Sequence, residues 1–187
     1  MNYTEPIKDL SIVSKFGEYL KKTNTRDYML FRSLLYLALR TSDTLNLTVG
    51  DVRGKYRIHF KEEKTGKTKV IEIHPDLLSE LEEYTKDRAD NEPLFPSQMK
   101  DKKTGQMRPL SREQAFRRLQ KAADECNLGV SLSGHVLRKT FCYHSYMNGT
   151  PIHVLSELLN HSSEAVTRRY IGLNQENIKQ AYFAVSF

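Results

Sequence analysis

Apolar residues recur along the chain at two periods, and each change of period marks a new element. In "DLSIVSKFGEYLKK" (9–22) Leu10, Ile12, Val13, Phe16 and Leu20 fall at helical spacing. "TRDYMLFRSLLYLALR" (25–40) repeats the pattern more densely and predicts a second, more buried helix ending at Arg40, and "SDTLNL" (42–47) reads as a short third helix. The period then drops to two. "KYRIHF" (55–60) and "TKVIEI" (68–73) flank a basic connection containing Thr65 and Gly66, which predicts a hairpin closed by His74 and Pro75. "PDLLSELEEYTKD" (75–87) is an amphipathic helix with its acids outward, and residues 88–110, holding "LFPS", are expected to be irregular.

Helical spacing returns in "SREQAFRRLQKAADEC" (111–126), with Ser111 as N-cap and Phe116, Leu119 and Ala123 as its buried stripe. "SGHVLRKTFCYHSYMNG" (133–149) predicts a helix capped by Ser133 and stopped by Asn148 and Gly149. "TPIHVLSELLN" (150–160) places Thr150 at the N-cap and Pro151 in the first helical position, where proline is tolerated. A helix from Ser163 to Tyr170 and a short one in "NQENIKQAYFAV" (174–185) complete the chain. The expected fold is α+β and predominantly α-helical, with one small antiparallel β-sheet. It forms a single domain over 1–187, with a linker-like lead and first helix in 1–20 and a tail helix in 174–187.

Composition adds little to that picture and charge adds more. With 39% hydrophobic and 28% charged residues, the 187 residues suit one ordinary globular domain. The net charge of +6 favours an anionic partner, and its distribution sharpens the point. Basic residues crowd 53–69 and 99–121 while acids crowd 76–92, so the chain is expected to have a face for polyanions and a back that repels them, although two solvated surfaces would give the same counts. Cys126 and Cys142 are too few for a disulfide framework and lack metal-ligand spacing. The longest apolar run, "LLYLAL" (34–39), cannot cross a bilayer and the N-terminus has no signal-peptide pattern, so a cytoplasmic protein without membrane contact is expected.

Few side chains stand out singly. His135 and Arg138 are three apart on one helix, share a face and could converge on one small anion, the guanidinium as a planar fork of donors and the imidazole as a donor or proton carrier. Arg40 at a helix C-terminus would merely complement the dipole, and Lys64 in a hairpin would discourage strand aggregation. Tyr170 is one of ten tyrosines and would suit a core edge, and His161 could cap the helix before it.

In order, however, these residues form a pattern. "ALRTSDTLNLTVGDV" resembles the segment of tyrosine recombinases, the phage integrase family, in which Gly-Leu-Arg is followed by Ser-Glu and a leucine. "HVLRKTFCYHSYMNGTPIHVLSELLNHSSEAVTRRY" is similar to the family's His-x-x-Arg segment and its Leu-Gly-His-Ser-Ser before the tyrosine, and "KTGKTKVIEI" and "LFPS" fall where the family has them. The resemblance covers roughly residues 20–175. It implies that Arg40 and Arg138 clamp the phosphate, Lys64 is the hairpin lysine and general acid for the departing 5′-oxygen, and His135 and His161 are the paired histidines. Tyr170 becomes the nucleophile, forming a 3′-phosphotyrosyl ester that a 5′-hydroxyl can reverse. Ala38 stands for the usual glycine, Asp43 for the usual glutamate, and Asn160 for the glycine before His161.

The implied activity is site-specific DNA cleavage and rejoining, in integration or excision of mobile DNA, with no metal, cofactor or ATP. The partner is double-stranded DNA, with Lys61, Lys67, Lys69, Lys102, Lys103, Arg108 and Arg112 as candidate contacts. Ile178, Ala181, Tyr182, Phe183 and Val185 in the tail imply self-association on DNA, and a full-length recombinase or accessory DNA-binding protein is a further candidate partner. Only about 20 residues precede the match, so the family's N-terminal core-binding domain is expected to be absent. The competing readings are a non-catalytic DNA-binding regulator, which has no need of Tyr170, and a type IB topoisomerase-like enzyme.

Overall fold

The computed structural model describes residues 4–61, 66, 68–173 and 183. Two helices open the fold. α1 (Leu10–Thr23) is capped by the Asp9 carboxylate, which accepts from the Ser11 amide, and α2 (Thr25–Tyr36) by Asn24, which accepts from Asp27. α2 is the central helix. It packs against α1, α5 (Pro75–Thr85), α6 (Arg112–Glu125) and α7 (Gly134–Met147), and buries Met29, Leu30, Phe31 and Leu34 among them. Each such side chain removed from water is worth about 1.5–3 kcal/mol, so this helix organises the core.

α2 stops at Tyr36 rather than continuing to Arg40. The apolar pattern misleads here because Leu37, Ala38 and Leu39 are all buried in the turn that follows, and periodicity cannot separate a buried turn from a buried helix. Ala38 adopts the left-handed conformation at φ 49°, and Arg40 is the N-cap of α3 (Thr41–Leu45) instead of a C-terminal cation. A helix-dipole role for Arg40 is thereby excluded. A one-turn helix, α4 (Val49–Val52), follows with a Thr48–Asp51 capping box.

The expected hairpin is β1 (Arg57–Lys61) paired antiparallel with β2 (Thr68–Glu72), in register from Arg57 opposite Glu72 to Lys61 opposite Thr68. A second two-stranded sheet, β3 (Pro96–Lys100) with β4 (Met107–Pro109), occupies the stretch expected to be irregular, so the described residues hold two small sheets rather than one. "PSQMK" and "MRP" carry no apolar alternation because nothing covers most of either strand. The turn is locally made: the Asp101 carboxylate accepts from the Lys103 and Thr104 amides and from Arg108, which together hold it at about 2, and Gly105 sits at φ 70°.

α6 starts at Ser111 with a Gln114 capping box, and α7 at Ser133, whose hydroxyl accepts from Val136. α6 buries Leu119 and Ala123 as expected, together with Ala115 and Ala122, but leaves Phe116 43% exposed, so Ala115 takes the place expected for Phe116 in the stripe. Leu10 of α1 is likewise exposed. α8 (Ile152–Leu159) begins one residue later than expected, with Pro151 rather than Thr150 at the N-cap. α9 (Glu164–Tyr170) is capped by Ser163. A second apolar cluster of Cys142, Ile152, Leu155, Leu159, Ile171 and Leu173 joins α7, α8 and the turn after α9. Burial pushes the Cys142 thiol up to about 12, so it serves as packing. Among the described residues no helix is long and apolar enough to cross a membrane.

Candidate active site

Three chain segments converge where α7 begins. Gly134, its first residue, lies so close to α3 that a Cβ there would overlap the Thr41 hydroxyl. This close approach sets His135 beside the residues that follow Arg40. A Gly134→Ala substitution is expected to force the two helices apart, costing about 1–3 kcal/mol of stability as overpacking does, measurable by denaturant titration. One helical turn on, the Arg138 side chain is 7% exposed, with Nη2 3.4 Å from the Leu159 carbonyl. Arg40 faces Asp43 across 4.0 Å, and Asp43 is buried. Arg40, Thr41, Ser42, Arg112, His135 and Arg138 line one cleft of about 680 Å³.

α9 carries Tyr170 to the edge of this cleft. Its ring stands edge-on to both imidazoles, with centroids 5.0 Å from His135 and 5.0 Å from His161, and its hydroxyl is 3.4 Å from His135 Nδ1. His161 reaches this place because Asn160 ends α8 in the left-handed conformation at φ 55°, the geometry that glycine would serve and asparagine tolerates. The His161 ring is then held from behind. Its Nδ1 lies 3.0 Å from the Thr167 hydroxyl, which lies 3.0 Å from that of Ser156. When the Ser156 hydroxyl donates to that of Thr167 and frees it to donate to Nδ1, Nε2–H is left as a donor for an anion in front of it; with Thr167 donating to Ser156 instead, Nδ1–H donates to Thr167. Thr167 is also three residues before Tyr170 on α9, so one hydroxyl ties the imidazole to the helix that presents the phenol. For the DNA cleavage that the sequence resemblance implies, replacing it with valine is expected to cost roughly tenfold in rate, as loss of a partner that orients an anion-stabilising donor does, without changing DNA affinity in a filter-binding titration.

The electrostatics are those of a hole awaiting an anion. Burial lowers the His135 pKa, reinforced by the Lys139 and Arg138 cations, and burial also lowers that of His161, reinforced by Arg138, Arg40, His135 and Lys69. Burial raises the Tyr170 pKa, while Arg138 and Arg40 oppose it. At neutral pH both imidazoles are therefore neutral, and the phenol keeps its proton until a base or a bound phosphate reorganises the site. Unfolding restores both histidines to about 6.5, so below that value the unfolded chain binds protons that the native one resists. Their contribution to stability is intact above about pH 6.5 and is lost as pH falls through the lowered native values. Chemical denaturation of the protein across that range should show the loss, and His161→Gln should reduce it to the share of His135.

The remaining sequence expectations fall unevenly. Lys64 and Lys67 lie outside the described residues, as does all of 174–187 except Phe183, which is exposed. Lys61 is exposed at the end of β1 and Lys102 and Lys103 at the tip of the second hairpin. Arg108 there is paired with Asp101 at 2.9 Å, and Arg112 lines the cleft. Lys69 turns inward, its amine donating to the Leu158 carbonyl at 2.8 Å, next to the loop that carries His161. Sequence reasoning missed Gly134, Thr167 and Ser156. Only the position of Thr167 one turn before Tyr170 could have hinted at its role.

The model of the phage integrase family matches residues 9–177, nearly the whole chain. The chain belongs to that family. This integrase-family chain is 42% identical over 182 residues to the "Probable integrase/recombinase YoeC" of Bacillus subtilis (strain 168), covering 97% of both. It is 31% identical over 160 residues to "Tyrosine recombinase XerA" of Pyrococcus horikoshii, covering 84% of this chain and 54% of that protein, so it spans about half of the archaeal relative. Among solved structures, XerA recombinase matches with a TM-score of 0.76 at 20% identity, over 98% of this chain and 65% of the other. XerH recombinase in a post-cleavage complex with its palindromic difH substrate matches with a TM-score of 0.74 at 19% identity, over 97% and 53%. At those identities the likeness carries the fold, which is that of the tyrosine recombinase catalytic domain.

Proposed function

We propose that this member of the family cleaves and rejoins DNA at specific sites through a 3′-phosphotyrosyl intermediate, in the integration or excision of mobile DNA. The observation that carries the reading is the placement of the Tyr170 hydroxyl beside His135 at the edge of a cleft lined by Arg40 and Arg138. A scissile phosphate in that cleft would meet two guanidinium forks and the His161 imidazole. As phosphorus becomes five-coordinate, charge grows on its non-bridging oxygens, and these donors stabilise it where bulk water could not. His135 Nδ1 accepts the phenolic proton as the oxygen–phosphorus bond forms. The departing 5′-oxygen needs a proton, and Lys64 is the assigned donor. The reverse sequence, with a 5′-hydroxyl attacking the phosphotyrosyl ester, rejoins the strand and regenerates the phenol.

The test is direct. Wild-type protein incubated with fragmented host and mobile-element DNA at low salt, without metal or ATP, should yield adducts that survive SDS, and their sequences identify the site. Failure to form any adduct while DNA is still bound would return weight to the regulator reading. Because the Tyr170 hydroxyl lies 3.4 Å from His135 Nδ1 of its own chain, cleavage in cis is the expected mode. Mixing Tyr170→Phe with Arg138→Ala protein should then restore no adduct, since neither active site would be whole.

DNA contacts outside the cleft are assigned to Lys61, Lys102 and Lys103, with Lys67 as a further candidate, and Arg112 contributes from the cleft wall. Such a grip is mostly phosphate neutralisation, so affinity should fall on the order of a thousandfold between 50 and 200 mM salt, as for proteins with six or more phosphate contacts. A nearly flat salt titration would overturn that assignment. The tail is assigned to subunit contact on DNA, and deleting residues 176–187 should abolish synapsis while leaving single-site binding intact.

A further inference from the structure

The segment before α1 is tied to the site. Ile7 donates its amide to the Thr140 hydroxyl at 2.9 Å, and its carbonyl accepts from His144 Nε2 at 2.9 Å, so the chain crosses α7 just beyond Arg138. Pro6 is buried against the turn that follows Tyr170, where a Cβ added at Gly172 would lie 3.5 Å from the proline Cδ. The Thr4 carbonyl accepts from the Lys139 amine at 2.5 Å. Lys139 itself is 4% exposed, and its amine lies 5.2 Å from the centroid of the Tyr170 ring.

A buried ammonium is costly unless its place is functional or well paired, and here one of its neighbours is the ring that bears the nucleophile. The ring already meets two imidazoles edge-on. Each such edge contact favours its own geometry only weakly, and a cation drawn to the π-cloud, itself fixed by a backbone carbonyl, restrains the ring further. The strap also braces the turn two residues after Tyr170, so the phenol is held at its ring by Lys139 and at its backbone by Pro6.

We propose that Lys139, latched by the Thr4–Ile7 strap, is a positioning residue for Tyr170, holding the phenol at the angle that keeps its hydroxyl at the Arg40–Arg138 cleft. The proposal rests on Tyr170 being the nucleophile. Orientation acts on the chemical step and not on DNA affinity, because the amine touches the nucleophile and the strap rather than the face that meets phosphate. Lys139→Met keeps the length and removes the charge. Thr140→Val removes the oxygen to which Ile7 donates and so loosens the strap while leaving Lys139 in place.

The experiment uses the full chain with 3-fluorotyrosine at position 170. Fluorine NMR without DNA reports the ring's surroundings, and single-turnover adduct formation with a bound target duplex reports chemistry. Lys139→Met should shift and broaden the fluorine resonance and slow adduct formation at least tenfold, with the DNA dissociation constant within twofold of wild type. Thr140→Val should give the same changes at reduced size, and it carries the comparison if Lys139→Met does not fold. An unmoved resonance in the folded variants overturns the proposal, whatever happens to the rate, and so does a wild-type cleavage rate. If the wild-type protein itself forms no adduct, the nucleophile reading fails, while the fluorine spectrum still decides whether Lys139 holds the ring.

Discussion

Replacing Tyr170 with phenylalanine should abolish SDS-resistant DNA adducts, with a loss of cleavage on the order of 10⁴ or more, as removal of a nucleophile does in other covalent enzymes. The fold should survive. The ring's contacts with His135 and His161 depend on its faces and edges, and the hydrogen bond of its oxygen to His135, at 3.4 Å, is long. Losing a bond of that length costs less than about 1 kcal/mol. DNA affinity should stay within about twofold, because the hydroxyl does not face the duplex as a cation does. Adducts that persist in the variant would show that another residue attacks, and an equal loss of DNA binding would show that the tyrosine is part of the docking surface instead.

Truncating Arg138 to alanine should lower cleavage about 10²–10³-fold, the range seen when one donor is removed from a preorganised anion hole. Its guanidinium is buried and lies among the groups that shape the proton affinities of Tyr170, His135 and His161. Three changes should therefore travel together: weaker charge stabilisation, a phenol less ready to ionise and imidazoles easier to protonate. Lysine should not rescue the activity, since an ammonium lacks the planar fork that spans two phosphate oxygens. A rate-versus-pH profile should separate this from misfolding. In the alanine variant the acid limb should move toward higher pH, because a cation that opposed histidine protonation is gone. A profile unchanged in shape, with the rate simply scaled down, would mean that Arg138 acts only on packing.

Much of this was legible in the sequence because it is local. Ser111 and Ser133 cap the helices they were expected to cap, and Ser163, expected to start a helix, caps α9, since an N-cap needs only its own hydroxyl and the amides just beyond it. The β1–β2 hairpin follows from alternation over a few residues. The five site residues that the structure describes, Arg40, His135, Arg138, His161 and Tyr170, do come together, and their chemistry was suggested by residue type and order before any geometry. Asn160 standing for glycine was readable too, because the left-handed conformation at a helix end is a property of one residue.

Other features belonged to the tertiary structure alone. The end of α2 at Tyr36 depended on which buried residues turn and which continue the helix, and burial looks the same in both. The β3–β4 hairpin is held by Asp101 and its turn, without an apolar face to announce it. The orientation of α6 exposed Phe116 because the neighbours of a stripe, not its spacing, decide which side is covered. Thr167 against His161, Gly134 against Thr41 and Lys139 against Tyr170 are contacts between different turns of the fold. Residue type and order therefore determined which groups this integrase-family chain has for its candidate site. Only packing across the chain decided how tightly each is held, since distances between segments far apart in sequence are set by the core that joins them.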